Sequence, residues 1–282
     1  MIIWIVKIIA VVIVIVVIAV NIGNMLFDKK VESEVKEMFA ESKMEDNEII
    51  TEDDLADLPV PVQKWLKNSG VVGKEKVFSV RLKQEGLFRT GEDQSWMPFT
   101  AEQYYTTNPP GFIWYTTMDF VPLISIKGRD KYYQGKGNML IKLMSLIKVA
   151  DATGPEMDQG TLVRFLNEIM WFPSAALNDY IKWEVIDDKS ARATMSYQGV
   201  TASATYYFNE KYDLVNFEAE RYADLEEGFS KEKWTTPISS YDEFNGKRLP
   251  AAGEGVWKLD TGDFNYIQLN IKEIEYNNPS LY

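Results

Sequence analysis

The chain opens "MIIWIVKIIAVVIVIVVIAV", a stretch in which Lys7 is the only charged side chain. A helix of about 20 such residues spans the roughly 30 Å hydrocarbon layer of a bilayer. Apolar side chains surround it on every side, so it offers no amphipathic stripe to a soluble core. The expectation is one transmembrane helix over residues 1–23, anchoring the protein in the cell membrane as a single-pass chain. A cleaved signal peptide is the rival, because "VIA" ending at Ala19 supplies small residues before a cut. The run exceeds the usual apolar region of about 7–15 residues, which favours an uncleaved anchor. Lys7 and the terminal amine nearly balance Lys29 and Lys30, so the positive-inside bias leaves orientation open.

Residues 24–58 carry Val31, Val35, Met38 and Phe39 near helical spacing and then turn strongly acidic. They read as a helix leaving the membrane followed by a solvated acidic tether. The acidic run lacks the D-x-[DN]-x-[DN]-G pattern of a calcium loop, so it reads as a spacer.

The remaining residues, 59–282, are rich enough in apolar side chains for a core, at 46% hydrophobic overall, and read as a single domain without an internal linker or repeat. With 30 Lys+Arg against 42 Asp+Glu, the net charge of -12 repels phosphate backbones, and no nucleic-acid partner is expected. The chain has no His and no Cys. Ser-His-Asp and Cys-His machinery cannot be built, and zinc loses its usual ligands. No metal and no cofactor are expected, and the lack of cysteine leaves the redox compartment undetermined.

"PVPVQKWLKNSGVV" pairs an initial Pro with a terminal Gly70 around Val62, Trp65 and Leu66, a short helix. Strand patterns follow: "VFSVRLKQEGLF", "AEQYYTT", "GFIWYTT" and "LISIKGRDKYY". A block from Gly137 to Asn178 then reads as two helices separated by the Gly154-Pro155 breaker. Beyond it come "IKWEVID", "ARATMSYQ", "VTASATYYFN", "LVNFEAERY", "WTTPISSYDEF", "GEGVWKLD" and "FNYIQLNIKEIEY", with turns at Gln198-Gly199, 209–213, Asn245-Gly246 and Thr261-Gly262. The fold class is therefore α+β: a large curved antiparallel sheet, an open half-barrel, with helices packed on its concave face. An up-and-down barrel without a helical cover is the alternative.

Within "GPEMDQGTLVRFLNEIMWFPSA", Asp158 suits a helix N-cap, and Arg164 and Glu168 stand at i and i+4, spaced for an ion pair or for contact with a ligand. With Leu162, Phe165, Leu166 and Ile169 facing inward, the two charges fall near the border of the apolar stripe. Abundant Asp and Glu do not amount to the positioned pair that glycoside chemistry requires. No G-x-S-x-G or P-loop is present, and "GRDKYYQGKGN" lacks the Walker Lys-Ser/Thr. No catalytic residue is assigned, and no enzyme activity is expected. Trp96, Trp114, Trp171, Met118, Met139, Leu143, Met144, Met170 and Phe172 either fill a core or line an adaptable apolar pocket. The expected ligand-binding set is Trp114, Met118, Arg129, Met144, Arg164, Glu168, Met170 and Trp171, with Arg164 or Arg129 orienting a polar head.

"PVQKWLKNSGVVG", "VRLKQEGLFR", "WMPFTAEQYYTTNPPGFIW", "VADATGPEMDQGTLVRFLNEIMWFPSA", "DDKSARATMSYQGVTAS" and "GKRLPAAGEGVWKL" together resemble a bacterial and archaeal family of membrane-associated proteins, a domain of unknown function, over residues 60–278. The layout of "FNEKYDLV", "FEAERY" and "YDEFNGKRLP" is similar to the LolA/LolB lipoprotein-carrier superfamily. That resemblance implies a half-barrel around helices whose apolar hollow holds acyl chains. The anchor departs from the soluble carriers and argues against shuttling. The function expected is binding of a lipid or other hydrophobic ligand in the cell envelope, with the globular domain outside the cytoplasm. The alternatives are an envelope protein-interaction module with a self-filled half-barrel and a carboxylate-based hydrolase.

Overall fold

The structure, a computed structural model, describes residues 1–42, 48–121, 124–225 and 228–282. Residues 43–47 of the expected tether, and Leu123 of the expected fourth strand, lie outside them. Three α-helices are present among the described residues: α1 (Ile2–Glu41), α2 (Val60–Asn68) and α3 (Pro155–Glu168). Between α2 and α3 run β1 (Ser79–Phe88), β2 (Met97–Thr107), β3 (Pro110–Val121), β4 (Ile124–Tyr133), β5 (Lys136–Leu143) and β6 (Ile147–Ala152). After α3 come two 3-10 turns, Ile169–Trp171 and Pro173–Leu177, then β7 (Ile181–Asp187), β8 (Ser190–Tyr197), β9 (Val200–Phe208) and β10 (Leu214–Leu225). The chain closes with β11 (Gly228–Thr235), β12 (Ile238–Phe244), β13 (Lys247–Leu259) and β14 (Gly262–Tyr276).

The strands form one antiparallel sheet in the order β6-β5-β4-β3-β2-β1-β14-β13-β11-β10-β9-β8-β7, with β12 paired to β13 off the main path. The terminal strands β6 and β7 do not pair with each other, so the sheet is an open half-barrel and not a closed barrel. Period-2 patterning sets the faces: on β9, Ala202, Ala204, Tyr206 and Phe208 point inward while alternate residues are more exposed. Gln198-Gly199 and Asn245-Gly246 supply the paired positive φ angles that two-residue hairpins require.

The concave face is filled from within by α3 and the 3-10 turns, whose Leu162, Phe165, Leu166, Ile169 and Phe172 are fully buried. On α2, Val62, Trp65 and Leu66 join the same core, with Trp65 packing on Tyr206 and Phe208. A second, smaller core lies on the convex face, where Phe27, Val31, Val35, Met38 and Phe39 of α1 meet Tyr104, Ile113 and Leu140.

Three expectations change. The block 137–152 is a hairpin, β5–β6, and not a helix. Its strand signal is masked because Met139 and Ile141 face the concave hollow while Leu140 packs toward α1, so apolar residues occur on both faces. The single strand expected over "WTTPISSYDEF" is two, the end of β11 and β12, parted at Thr236-Pro237. Strand β11 starts six residues earlier, because "GFSKEK" puts Ser230 and Glu232 on the same face as Trp234 and so lacks an apolar alternation. The acidic segment following the apolar run is not a solvated tether over its described part. Its helix continues to Glu41 and docks, and Ile50 and Leu55 further on are buried in the concave core.

The docking is electrostatic as well as apolar. Alternate residues of β4 point outward, and Lys127 pairs with Asp28 at 2.5 Å, Arg129 with Glu34 at 3.0 Å, and Lys131 with Glu34 at 3.2 Å. Arg129 is almost wholly enclosed, its guanidinium also donating to the Asn138 carbonyl at 3.0 Å and side chain at 2.5 Å. Burial lowers the pKa of this arginine below its ordinary value, against the opposing pull of Glu34. Breaking a buried pair leaves a charge uncompensated, whereas an exposed helix pair contributes little. Glu34→Ala is expected to lower unfolding stability by roughly 3 kcal/mol, and Glu32→Ala, whose partner Lys36 is exposed, to leave it essentially unchanged. Equilibrium urea unfolding monitored by tryptophan fluorescence distinguishes the two.

Candidate functional site

Between the concave sheet and α3 lies a cavity of about 420 Å³, within the roughly 300–1,000 Å³ range of small-molecule sites. Its wall is mainly apolar. Met97, Met118, Met139, Met157 and Met170 contribute thioethers, and Trp114, Trp171, Trp234 and Trp257 contribute indoles. Unbranched methionines re-pack cheaply, so this surface adapts to guests of different shape. Trp171 is pinned by its indole N–H donating to the Pro250 carbonyl at 3.2 Å, and Trp234 by donation to the Tyr266 hydroxyl at 3.2 Å. These two indoles are therefore held in place, and the methionines between them are adaptable.

One side of the cavity carries a closed polar network. The Arg164 Nε donates to Glu168 Oε1 at 2.7 Å, and its Nη1 donates to Asp130 Oδ2 at 2.6 Å. The other oxygen of Glu168 accepts from Gln103 Nε2 at 2.8 Å and from the Tyr105 hydroxyl at 3.0 Å. Gln103 in turn accepts from Gln84 at 3.3 Å, and Gln84 accepts the indole N–H of Trp114 at 3.0 Å. The Arg164 guanidinium also lies over the rings of Phe112 and Trp114, 4.9 Å from each centroid.

Burial disfavours the Arg164 cation, but Glu168 and Asp130 outweigh it and hold its pKa above the ordinary value. Burial pushes the Glu168 carboxyl up, while Arg164, Tyr105 and Gln103 pull against that shift. The Tyr105 hydroxyl, buried beside Glu168, is pushed well above its usual value. The other wall carboxylate, Glu254, accepts from Asn265 at 2.6 Å and Gln268 at 3.3 Å.

Of the expected ligand-binding residues, Trp114, Met118, Arg164, Glu168, Met170 and Trp171 line this one cavity. Arg129 does not, because it stands one residue out of phase on β4, between Gly128 and Asp130, and faces α1. Met144 does not either, because it turns the β5–β6 hairpin at φ 51°. Asp158 is no N-cap: Gly154 takes that position, and the Asp158 carboxylate instead accepts the Gly137 N–H and the Lys136 ammonium, each at 2.8 Å. Arg164 and Glu168 are not at the border of the helix stripe: Glu168 is buried, Arg164 is largely buried, and both face the cavity.

The cation that sequence reasoning missed is Arg221 on β10. Its Nε donates to the Gly160 carbonyl at 3.0 Å, and its guanidinium lies 4.7 Å from the Trp234 ring centroid. Among the described residues no carboxylate forms an ion pair with it, and Glu232 across the strand pair instead accepts from the Ser230 hydroxyl at 2.5 Å. The available signal was an arginine between Ala219 and Ala223, two small buried residues on the inward face.

The sequence model of one family, described as "Family of unknown function (DUF6544)", matches residues 48–269. The chain belongs to that family. The matched stretch takes in every cavity-lining residue, from Gln84 to Leu269, and leaves α1 outside. No curated protein matches the chain. A similar solved structure is the crystal structure of a LolA superfamily protein from Nitrosomonas europaea, at TM-score 0.40 and 10% identity, covering 77% of this chain and 92% of that one.

Within this family fold the polar network is a structural strut. Glu168→Ala strands the buried Gln103 and Tyr105 donors and half the charge around Arg164, and is expected to cost roughly 3 kcal/mol or more. The paired change Arg164→Met with Glu168→Leu avoids an unmatched Arg164 charge but still strands Gln103 and Tyr105 and leaves Asp130 without its cation, so it recovers only part of that loss. Urea-unfolding midpoints of the two variants against the parent check this.

Proposed function

We propose that the protein is a membrane-anchored binding protein for a lipid or other hydrophobic ligand, held in the cavity between the concave sheet and α3 and not chemically altered there. The observation that carries this reading is the cavity itself: a mainly apolar wall of indoles and thioethers, left open in a half-barrel otherwise packed tight. Apolar burial supplies the affinity, and Arg221 supplies the orienting contact for an anionic head, because its guanidinium has no carboxylate partner among the described residues. Arg164 is unsuited to that role, being already matched by two carboxylates.

The absence of catalysis belongs to the same proposal. Asp130, Glu168 and Glu254, the carboxylates of the wall, already accept hydrogen bonds from protein donors, an arrangement that favours holding shape over transferring protons. The first half of α1 is exposed and apolar over a length that can cross a membrane, which supports a single-pass anchor. A placement of the half-barrel outside the cytoplasm is part of the proposal.

A version starting at residue 23 retains the docked half of α1 and is suited to the test. Its organic extract is expected to contain an apolar molecule in near-stoichiometric amount by mass spectrometry, and a fluorescent fatty acid should bind saturably. Ala252→Trp, which fills the cavity, should abolish that binding while preserving the fold by circular dichroism. Arg221→Gln should weaken the fatty acid roughly tenfold, the worth of one charge-assisted bond, and leave an uncharged analogue unaffected. No extractable ligand and no saturable binding would remove the proposal in favour of a protein-interaction module.

A further inference from the structure

The direction of α1 relative to the sheet is fixed by its contacts. Asn24 accepts from the Ser145 hydroxyl at 2.7 Å in the β5–β6 turn, Asp28 meets Lys127 early in β4, Glu34 meets Arg129 and Lys131, and Glu41 accepts from Gln134 just past the end of β4 at 2.8 Å. The helix therefore runs in the same direction as β4. Its apolar residues 2–22 project beyond the tips formed by the start of β4 and the β5–β6 turn by about 30 Å at 1.5 Å per residue. Gly23 marks the point of departure, where an added Cβ would come within 2.9 Å of Leu146.

The concave face differs between its two ends. Away from these tips it is plugged, with Tyr105, Phe112, Tyr132, Phe165 and Phe172 packed ring against ring and wholly buried. Toward the tips it is hollow. The register Phe99↔Met118, Met118↔Ile126 and Ile126↔Leu143 runs as one row across β2 to β5. Met118 and Ile126 of that row line the cavity, as does Val149 on the edge strand β6. Three apolar side chains on the hairpin beside the departing helix are uncovered, Leu146, Ile147 and Val149 at 45%, 61% and 62% exposed, while Lys148 between the last two is paired with Asp151. Val149 belongs both to this exposed strip and to the wall of the cavity.

We propose that the β5–β6 hairpin is seated in the surface of the bilayer beside α1, so that the mouth of the cavity opens into the lipid leaflet and its ligand passes between bilayer and half-barrel without crossing water. This rests on the membrane-anchored, ligand-binding reading above. The occupant of the exposed strip is the bilayer, because the strip continues the apolar surface of α1 at the level where that helix leaves the domain. The contact is one-sided. The β1–β2 connection carries Glu92 and Asp93, the β13–β14 turn carries Asp260 and the start of β14 carries Asp263, and these stay in water.

The absence of cysteine makes site-directed spin labelling direct. The full chain is reconstituted in phosphatidylcholine vesicles with single nitroxides at Ile147→Cys, Val149→Cys, Asp93→Cys and Glu243→Cys, and collision with oxygen is compared with collision with a water-soluble nickel chelate. Positions 147 and 149 are expected to favour oxygen, as lipid-exposed sites do, and positions 93 and 243 to favour nickel. Nickel-favoured collision at 147 or 149 overturns the proposal, even where the version from residue 23 still binds fatty acid. Oxygen-favoured collision at both positions in a protein that binds no fatty acid supports the seating and defeats the ligand reading alone. Leu146→Cys replaces Ile147→Cys if that variant does not fold.

Discussion

The charged and apolar seam between α1 and the convex face of β3–β4 is the constraint on which the rest of the arrangement depends. Phe27, Val31, Val35 and Met38 recur on one helix face and are almost wholly buried against the sheet. Full burial of each contributes roughly 1.5–3 kcal/mol. The ion pairs of Asp28 and Glu34 with Lys127, Arg129 and Lys131 then select one register, because sliding the helix by a turn would leave Arg129 buried without a carboxylate. A helix that is apolar for its first half and docked for its second holds the apolar half at a fixed edge of the half-barrel.

The inside of the half-barrel uses polarity differently. From Trp114 through Gln84, Gln103 and Glu168 to Arg164 and Asp130, donors and acceptors are matched in a chain that closes within the wall. A fully satisfied buried network rigidifies its surroundings, and a partly satisfied one is costly. With the network matched internally, the rest of the wall is mainly thioether and indole, a surface that gains free energy by covering apolar groups. Arg221, stacked on Trp234, differs from the network's Arg164 in having no carboxylate partner among the described residues.

Much of the fold was legible in the sequence. Alternation on "TASATYYF", paired turn residues at Gln198-Gly199 and Asn245-Gly246, and the Gly154-Pro155 breaker each correspond to an element or turn in the structure. The misreadings share one cause, a segment touched on two faces. Met139, Leu140 and Ile141 are apolar in succession because the hollow lies on one side of β5 and α1 on the other, which removes the period-2 contrast of a half-buried strand. The acidic residues after the apolar run looked solvated because their basic partners on β4 are about a hundred positions away, beyond what local pattern shows. The site was partly legible: aromatic and methionine content pointed to a pocket, but only the strand phase separates Arg129 on the outside from Asp130 within. Arg221 is assigned to the hollow by β10 pairing, which single-sequence periodicity does not reveal.

The central claim is that the hollow beneath α3 is kept open for an apolar guest. An electron cryomicroscopy map of the full chain in lipid nanodiscs tests this most directly. The account predicts elongated non-protein density running past Trp114, Met118 and Trp171, with the mouth beside Val149 against the disc surface. A hollow closed by inward rotation of Met118, Met139 and Met170, with no density between sheet and helix, would contradict it.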